Sequence, residues 1–268
     1  MTEKRTELHI LNGDFALELW NKCRFPGESL VWRETYLEGP LPPTDDLHIF
    51  RSERAAFLAQ FAELSGVSLQ RLTFHLQKMD DAVLELPEKG FLMLWFDSCI
   101  FDQTLLMRIL YLLNLRKIPV ADIFLYCCNS NSLTLEDFKK GASQKIRLLP
   151  QDLESGAKAW VAFQRRNAKE MIETADTLSP ERLPQMKKAL LRCAEELPDQ
   201  NGMTRTQRQI LQLVNSGCRS FMEIFKGLDA FEEYPFLGDT ACQRHLEDLV
   251  QKGFLEASPD GSYSNPLK

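Results

Sequence analysis

The sequence contains no apolar run long enough to cross a membrane. Its longest such stretches, Phe91–Phe96 and Thr104–Leu113 (the second broken by Arg108), fall far short of the ~20 residues a span needs. No apolar segment follows the polar start Met1–Leu8 either, so the expectation is a chain without a secretory signal, working in the cytoplasm. There is no C-x-x-C among the seven cysteines, Cys23, Cys99, Cys127, Cys128, Cys193, Cys218 and Cys242. An odd, scattered set reads as reduced thiols. His9, His48, His75 and His245 show no ligand-like spacing to one another or to a cysteine pair, which argues against a zinc site. Also absent are a G-x-G-x-x-G after the first strand, a G-x-x-x-x-G-K-[ST] loop and a G-x-S-x-G elbow, so a standard dinucleotide, P-loop or hydrolase assignment is disfavoured. Positive charge is not in excess: 32 Lys and Arg stand against 38 Asp and Glu, for a formal net charge of -6. A protein that coats nucleic acid through charge alone would have the opposite balance.

What is present is a globular composition, 44% hydrophobic and 26% charged over 268 residues, enough for one large domain or two smaller ones. Leu8–Leu11 is a short apolar run that stops at Asn12-Gly13-Asp14, where Asp14 is placed to cap a helix over Phe15–Cys23. Ser29–Trp32 reads as a second strand, followed by a loop with Gly39, Pro40, Pro42 and Pro43 that is too proline-rich for regular structure. Helices are expected from Arg51 to about Ser65, ended by Gly66, and over Ser68–Met79. Phe91–Trp95, apolar at every position between Gly90 and Asp97, has the pattern of a central parallel strand, and the apolar helix Phe101–Leu115 has that of a sheet cover. Asp122–Cys127 and Lys145–Leu149 are further strands. Alternating strands and helices imply βαβ units, a mainly parallel open sheet and a Rossmann-like fold.

After Pro150 the pattern becomes helical, with helices over 153–174 and 180–197. Helices at Thr204–Asn215, Ser220–Leu228 and Asp239–Gln251, then the segment Phe254–Ala257 and the turn Pro259-Asp260-Gly261, give a winged-helix-like pattern. The expected organisation is an α/β domain over 1–150, connecting helices over 151–200 and a winged-helix-like domain over 201–268.

Several stretches resemble a known family. His9-Ile-Leu-Asn-Gly-Asp14, Val31-Trp-Arg-Glu34, Glu38-Gly-Pro40, Arg54-Ala55, Leu94-Trp-Phe-Asp97 and Phe101-Asp-Gln103 resemble the bacterial family called domain of unknown function 1835. Asp97 stands where that family usually has glutamate. Leu183-Pro184, Asn201–Thr206 and Leu237-Gly238-Asp239 resemble the helical, sigma-factor-like region that accompanies it. The resemblance implies a fold and a site, and no reaction.

Ligands of open α/β sheets bind beyond the carboxyl ends of the strands, near a topological switch point. Asn12, Asp14, Arg33, Glu34, Asp97, Asp102 and Gln103 fall at such ends. Arg33, with Arg51 or Arg54 at the start of the helix after the proline loop, suits a small anionic, nucleotide- or phosphate-like ligand, because guanidinium forks and free helix N–H groups both attract anions. Asp14, Glu34, Asp97 and Asp102 are chemically sufficient to hold Mg²⁺, act as acid or base, or receive ribose hydroxyls. Each residue also has a purely structural alternative: a helix cap for Asp14, a favourable dipole interaction for Asp102, and an internal ion pair for Arg33 and Glu34.

A rival reading is a transcription-related regulator or interaction module acting through the C-terminal domain. Over Asn201–Lys268 seven basic residues face nine acidic ones, and the helix Asp239–Gln251 carries Arg244 alone against Asp239, Glu247 and Asp248. Phosphate contacts dominate DNA affinity, so nucleic acid is the weaker of the partner readings. The sequence leaves open the ligand, the oligomeric state and whether any reaction is catalysed.

Overall fold

The computed structural model describes residues 6–62, 67–116, 122–130, 132–234 and 236–266. It divides into two compact units, Met1–Leu190 and Leu191–Lys268.

The first unit holds a five-stranded sheet. Its strands are β1 (Glu7–Leu11), β2 (Glu28–Val31), β3 (Phe91–Phe96), β4 (Asp122–Cys127) and β5 (Ile146–Arg147), in the order β2-β1-β3-β4-β5. The first four pair in parallel, while β5 runs antiparallel on the edge. The mainly parallel sheet is as expected, but Lys145–Leu149 contributes only two paired residues. Ile146 and Arg147 are exposed, so no burial holds a longer edge strand.

The helices are α1 (Asp14–Cys23), α2 (Leu47–Ala62), α3 (Leu69–Leu84), α4 (Ile100–Asn114), α5 (Leu135–Gln144), α6 (Pro150–Gln164) and α7 (Ala168–Ala175). Alternation of side chains along the strands fixes which face each helix covers. His9, Leu11, Met93, Trp95 and Tyr126 share one face in register, where α1 and α5 pack through Trp20 and Phe138. Leu8, Ile10, Leu92, Leu94, Ile123 and Leu125 point to the other face, and α4 is buried almost from end to end. Gly156 lets α6 come close to α4, since a Cβ there would strike Leu110.

Several expected boundaries move; the helix expected over Ser68–Met79 continues to Leu84, and the one over 180–197 is shorter, Pro184–Glu195. α1 starts at Asp14 itself, with Gly13 as N-cap and no side-chain cap, because the Asp14 carboxylate turns to Arg33 instead. α2 begins a full turn before Arg51, because Asp46 Oδ1 accepts from the His48 and Ile49 N–H groups and starts the helix there. Arg51 and Arg54 are therefore interior helix positions, and the free N–H groups of that helix start are not theirs. The expected stop at Gly66 lies outside the described residues. Residues 153–174 form two helices rather than one, broken where Arg166 takes a left-handed φ of 53°. α5 was not anticipated, although Thr134 and Asp137 form a reciprocal capping box at its start.

α8 (Pro184–Glu195) crosses the division between the units. The second unit packs α9 (Arg205–Asn215), α10 (Phe221–Leu228) and α11 (Asp239–Gln251) with an antiparallel hairpin of β6 (Glu256–Ala257) and β7 (Tyr263–Ser264). Ile210, Val214, Ile224, Cys242, Leu246 and Leu249 are at its core. Capping boxes Thr204/Gln207 and Ser220/Glu223 fix the starts of α9 and α10. Three helices and a small hairpin are the winged-helix-like arrangement the sequence pattern predicts. Among the described residues, no helix is long and apolar enough to cross a membrane.

Candidate functional site

β1 lies between β2 and β3, so the connections leaving β1 and β3 turn to opposite sides of the sheet. The gap between the carboxyl ends of these two strands is the topological switch point of the parallel portion, where open α/β sheets bind ligands. Asn12 follows β1 and Asp97 follows β3. Asp102 and Gln103 sit in the first turn of α4, which brings them back over the end of β3.

These four side chains are joined. Asn12 Nδ2 donates to Asp102 Oδ2 at 2.6 Å and to Asp97 Oδ2 at 3.3 Å. The Asp97 N–H donates to the same Asp102 oxygen at 2.7 Å, and the Cys99 N–H to Asp97 Oδ1 at 2.8 Å. Gln103 Nε2 and the Cys127 thiol both donate to the Asp97 carbonyl, at 2.6 and 3.3 Å. Asp97 and Asp102 are only 2% and 4% exposed. One ligand atom from each of Asp97, Cys99 and Asp102 lies within 4.8 Å of the others. Among the described residues no lysine or arginine forms an ion pair with either carboxylate.

Burial raises the pKa of both carboxyl groups. For Asp102 it does so strongly, and the adjacent Asp97 charge adds to it; for Asp97, hydrogen bonds from Cys99 and Asn12 work the other way. Burial also pushes the Cys99 thiol up, assisted by the two neighbouring carboxylates. Two buried carboxylates in contact do not both hold a negative charge comfortably. A proton or a cation relieves the repulsion. The donor set fits a metal ion: two carboxylates suit Mg²⁺, and the thiol adds affinity for softer divalent ions.

The other predicted residues divide into separate groups. Arg33 forks onto the Asp14 carboxylate, with its Nη2 at 2.5 Å from Oδ1 and its Nε at 3.1 Å from both oxygens. Both side chains are substantially exposed, at 46% and 68%. This pair lowers the Asp14 pKa and raises that of Arg33. Glu34 and Arg54 form a fully buried pair at 2.7 Å, both side chains 0% exposed. The remaining Arg54 donors go to the Thr35, Glu38 and Pro40 carbonyls, so that one guanidinium organises the whole proline-rich loop. Arg51 faces Asp80, at 3.5 Å, a carboxylate that also receives Arg108 at 3.2 Å. Asn12, Asp97, Asp102 and Gln103 thus come together, Asp14 and Arg33 pair beside them in sequence at the start of α1, and Glu34, Arg51 and Arg54 are engaged in the interior.

Sequence reasoning missed Cys99 and Cys127. Cys99 sits between the two carboxylates in the pattern D-x-C-x-x-D, a spacing that places all three at one helix start and could have been noticed. Cys127 is brought in by the pairing of β4 with β3, which no local pattern reveals.

No family model and no curated protein matches the chain. Among solved structures it is similar to the Walker-type ATPase PABY2304 of Pyrococcus abyssi, at 14% identity and a TM-score of 0.21, over 97% of this chain and 87% of that one. Backbones that superpose at that level need share neither fold nor chemistry.

Proposed function

We propose that the first unit binds a small anionic ligand, nucleotide- or phosphate-like in charge, at the carboxyl ends of β1 and β3. The observation that carries this reading is the buried Asp97–Asp102 pair, bridged by Asn12 at the switch point and lacking an ion-pair partner among the described residues. Such an arrangement costs stability, and groups shifted this far from their ordinary pKa cluster at functional sites. A divalent ion held by Asp97 and Asp102, with Cys99 beside them, would neutralise the pair and offer its free positions to a phosphate oxygen. The uncapped N–H groups at the start of α1 lie on the same rim, and the exposed Arg33 guanidinium there would exchange its Asp14 partner for the incoming anion. Asn12, Asp97, Asp102 and Gln103, which build this cluster, lie within the stretches that resemble the domain of unknown function 1835 family.

Thermal-shift titration with nucleotides and inorganic phosphate, with and without Mg²⁺ or Mn²⁺, tests the reading. Wild type should be stabilised by one of these anions in the presence of the metal. Arg33→Ala and Asp97→Asn should each respond less. A wild type indifferent to every combination, or variants that respond as it does, would remove the proposal.

A further inference from the structure

The Arg33–Asp14 pair has a third neighbour. His75, half-buried on α3, stands within electrostatic reach of Arg33, Asp14 and Glu34, and of Lys78 on its own helix. The Asp14 carboxyl feels the imidazole in return. His75 Nε2 is enclosed by protein and has no hydrogen-bond partner among the described residues, although a buried ring nitrogen normally finds one. Beside the same pair there is room. A Cβ placed on Gly13 would meet nothing within 4 Å, and the first N–H groups of α1 carry no side-chain cap. An anion can therefore approach Arg33 where an imidazole with an unused nitrogen is already at hand.

We propose that Arg33, Asp14 and His75 form a proton-linked anion subsite: Arg33 passes from Asp14 to a phosphate-like dianion, and His75 takes up a proton that balances the carboxylate left behind. This rests on the reading of the rim as an anion site, and adds to it a positioning residue and a proton. Charge sets the direction. Without ligand, Arg33 and Asp14 neutralise each other through both carboxylate oxygens. An arriving dianion draws the guanidinium, whose fork suits phosphate as well as carboxylate. Asp14 is then unanswered, and the imidazole is the base beside it. The groups acting on His75 agree with that order. Burial and the Arg33 charge disfavour its protonated form, Asp14 and Glu34 favour it, and Lys78 opposes it. Glu34 is held by Arg54 throughout. The imidazole therefore stays neutral while Arg33 remains on Asp14, and binds a proton more tightly once a dianion cancels the Arg33 charge. Because such coupling is reciprocal, the affinity for the anion must rise as pH falls through the histidine range.

Sulfate is the probe, because it keeps its double charge between pH 5.5 and pH 8 whereas phosphate does not. Calorimetric titration of the full chain with sulfate, in EDTA so that no metal contributes, should give an affinity several-fold higher at pH 5.5 than at pH 8. His75→Gln should bind sulfate with little difference between the two pH values, and Arg33→Gln should bind it weakly at both. In wild type the NMR titration midpoint of the His75 imidazole should move up when sulfate is added, a readout that needs no variant to fold. Sulfate affinity independent of pH, a His75→Gln variant that keeps the dependence, or a midpoint that sulfate leaves in place would overturn the proton link. A wild type that binds no sulfate at either pH would overturn it as well. The response to nucleotides or phosphate with Mg²⁺ or Mn²⁺ holds or fails separately, as the test of the function itself.

Discussion

Two pairs of buried charged residues sit past the carboxyl ends of β2 and β3, the parallel strands on either side of β1, and they differ in kind. Glu34 and Arg54, after β2 and on α2, are of opposite charge, wholly buried, and surrounded by carbonyls that take every remaining guanidinium donor. Asp97 and Asp102, after β3 and on α4, are of like charge and share one amide donor from Asn12. The first pair is complete in itself and holds a proline-rich loop in shape. The second is satisfied in hydrogen bonds and unsatisfied in charge. A buried charged group therefore marks a functional position only when its charge has no answer within the fold, and that difference separates a structural pair from a candidate site.

The sharpest way to break this comparison is to halve the complete pair. Arg54→Met strands the Glu34 carboxylate in the interior and should cost about 3–5 kcal/mol in urea denaturation. A loss of less than about 1 kcal/mol would mean that Glu34 escapes to solvent and the pair is not the loop's anchor.

His9 supplies the control for burial without a charged partner. It lies on β1 below Asn12, accepts from Trp95 Nε1 at Nδ1, and is held by burial at a pKa of about 4 instead of 6.5. The unfolded chain takes up this proton first, so stability is complete above 6.5 and lost as pH falls toward about 4. The loss should be about 2 kcal/mol at pH 5. An imidazole that titrates near 6.5 in the folded protein would show that the sheet interior tolerates charge, and the argument for Asp102 would weaken with it.

Cutting the like-charge pair should have the reverse sign. Asp102→Asn keeps an oxygen for the Asn12 and Asp97 donors and removes the repulsion, so it should stabilise the protein by about 0.5–2 kcal/mol. Because the folded pKa values of these acids are raised, their favourable contribution is present at low pH and lost as pH rises through the folded values. The gain of the variant should accordingly be smaller at pH 4 than at pH 8. A variant less stable than wild type at both would show the carboxylate to be structural.

The smallest effect on stability is expected at the exposed pair. Arg33→Ala should change the unfolding free energy by no more than about 1 kcal/mol, as for other solvent-accessible ion pairs. The same variant should still lose ligand response, which separates a binding role from a supporting one.

Much of the fold was legible because its signals are local. Phe91–Phe96 is apolar on both faces and is the central strand; Asp122–Cys127 and Asp239–Gln251 occupy the expected ranges. Where local chemistry competed, the expectation slipped. Asp14 has the identity of a cap, yet Arg33 claims its carboxylate, and Asp46 starts α2 a turn earlier than hydrophobic periodicity suggests. Of the candidate residues, Asn12, Asp97, Asp102 and Gln103 were readable as strand-end polar groups. Their separation from Glu34, Arg51 and Arg54 was not, since it depends on which partner each guanidinium meets across the fold.

The sequence alone determined that this chain forms a mainly parallel sheet with helices on both faces, followed by three helices and a wing, because apolar periodicity and helix-start residues act over a few positions at a time. Only the tertiary structure decided which charges are answered. Whether a carboxylate meets an arginine or a second carboxylate is set by strand order and by where helices return to the sheet, over separations of up to ninety residues, as from Asn12 to Asp102.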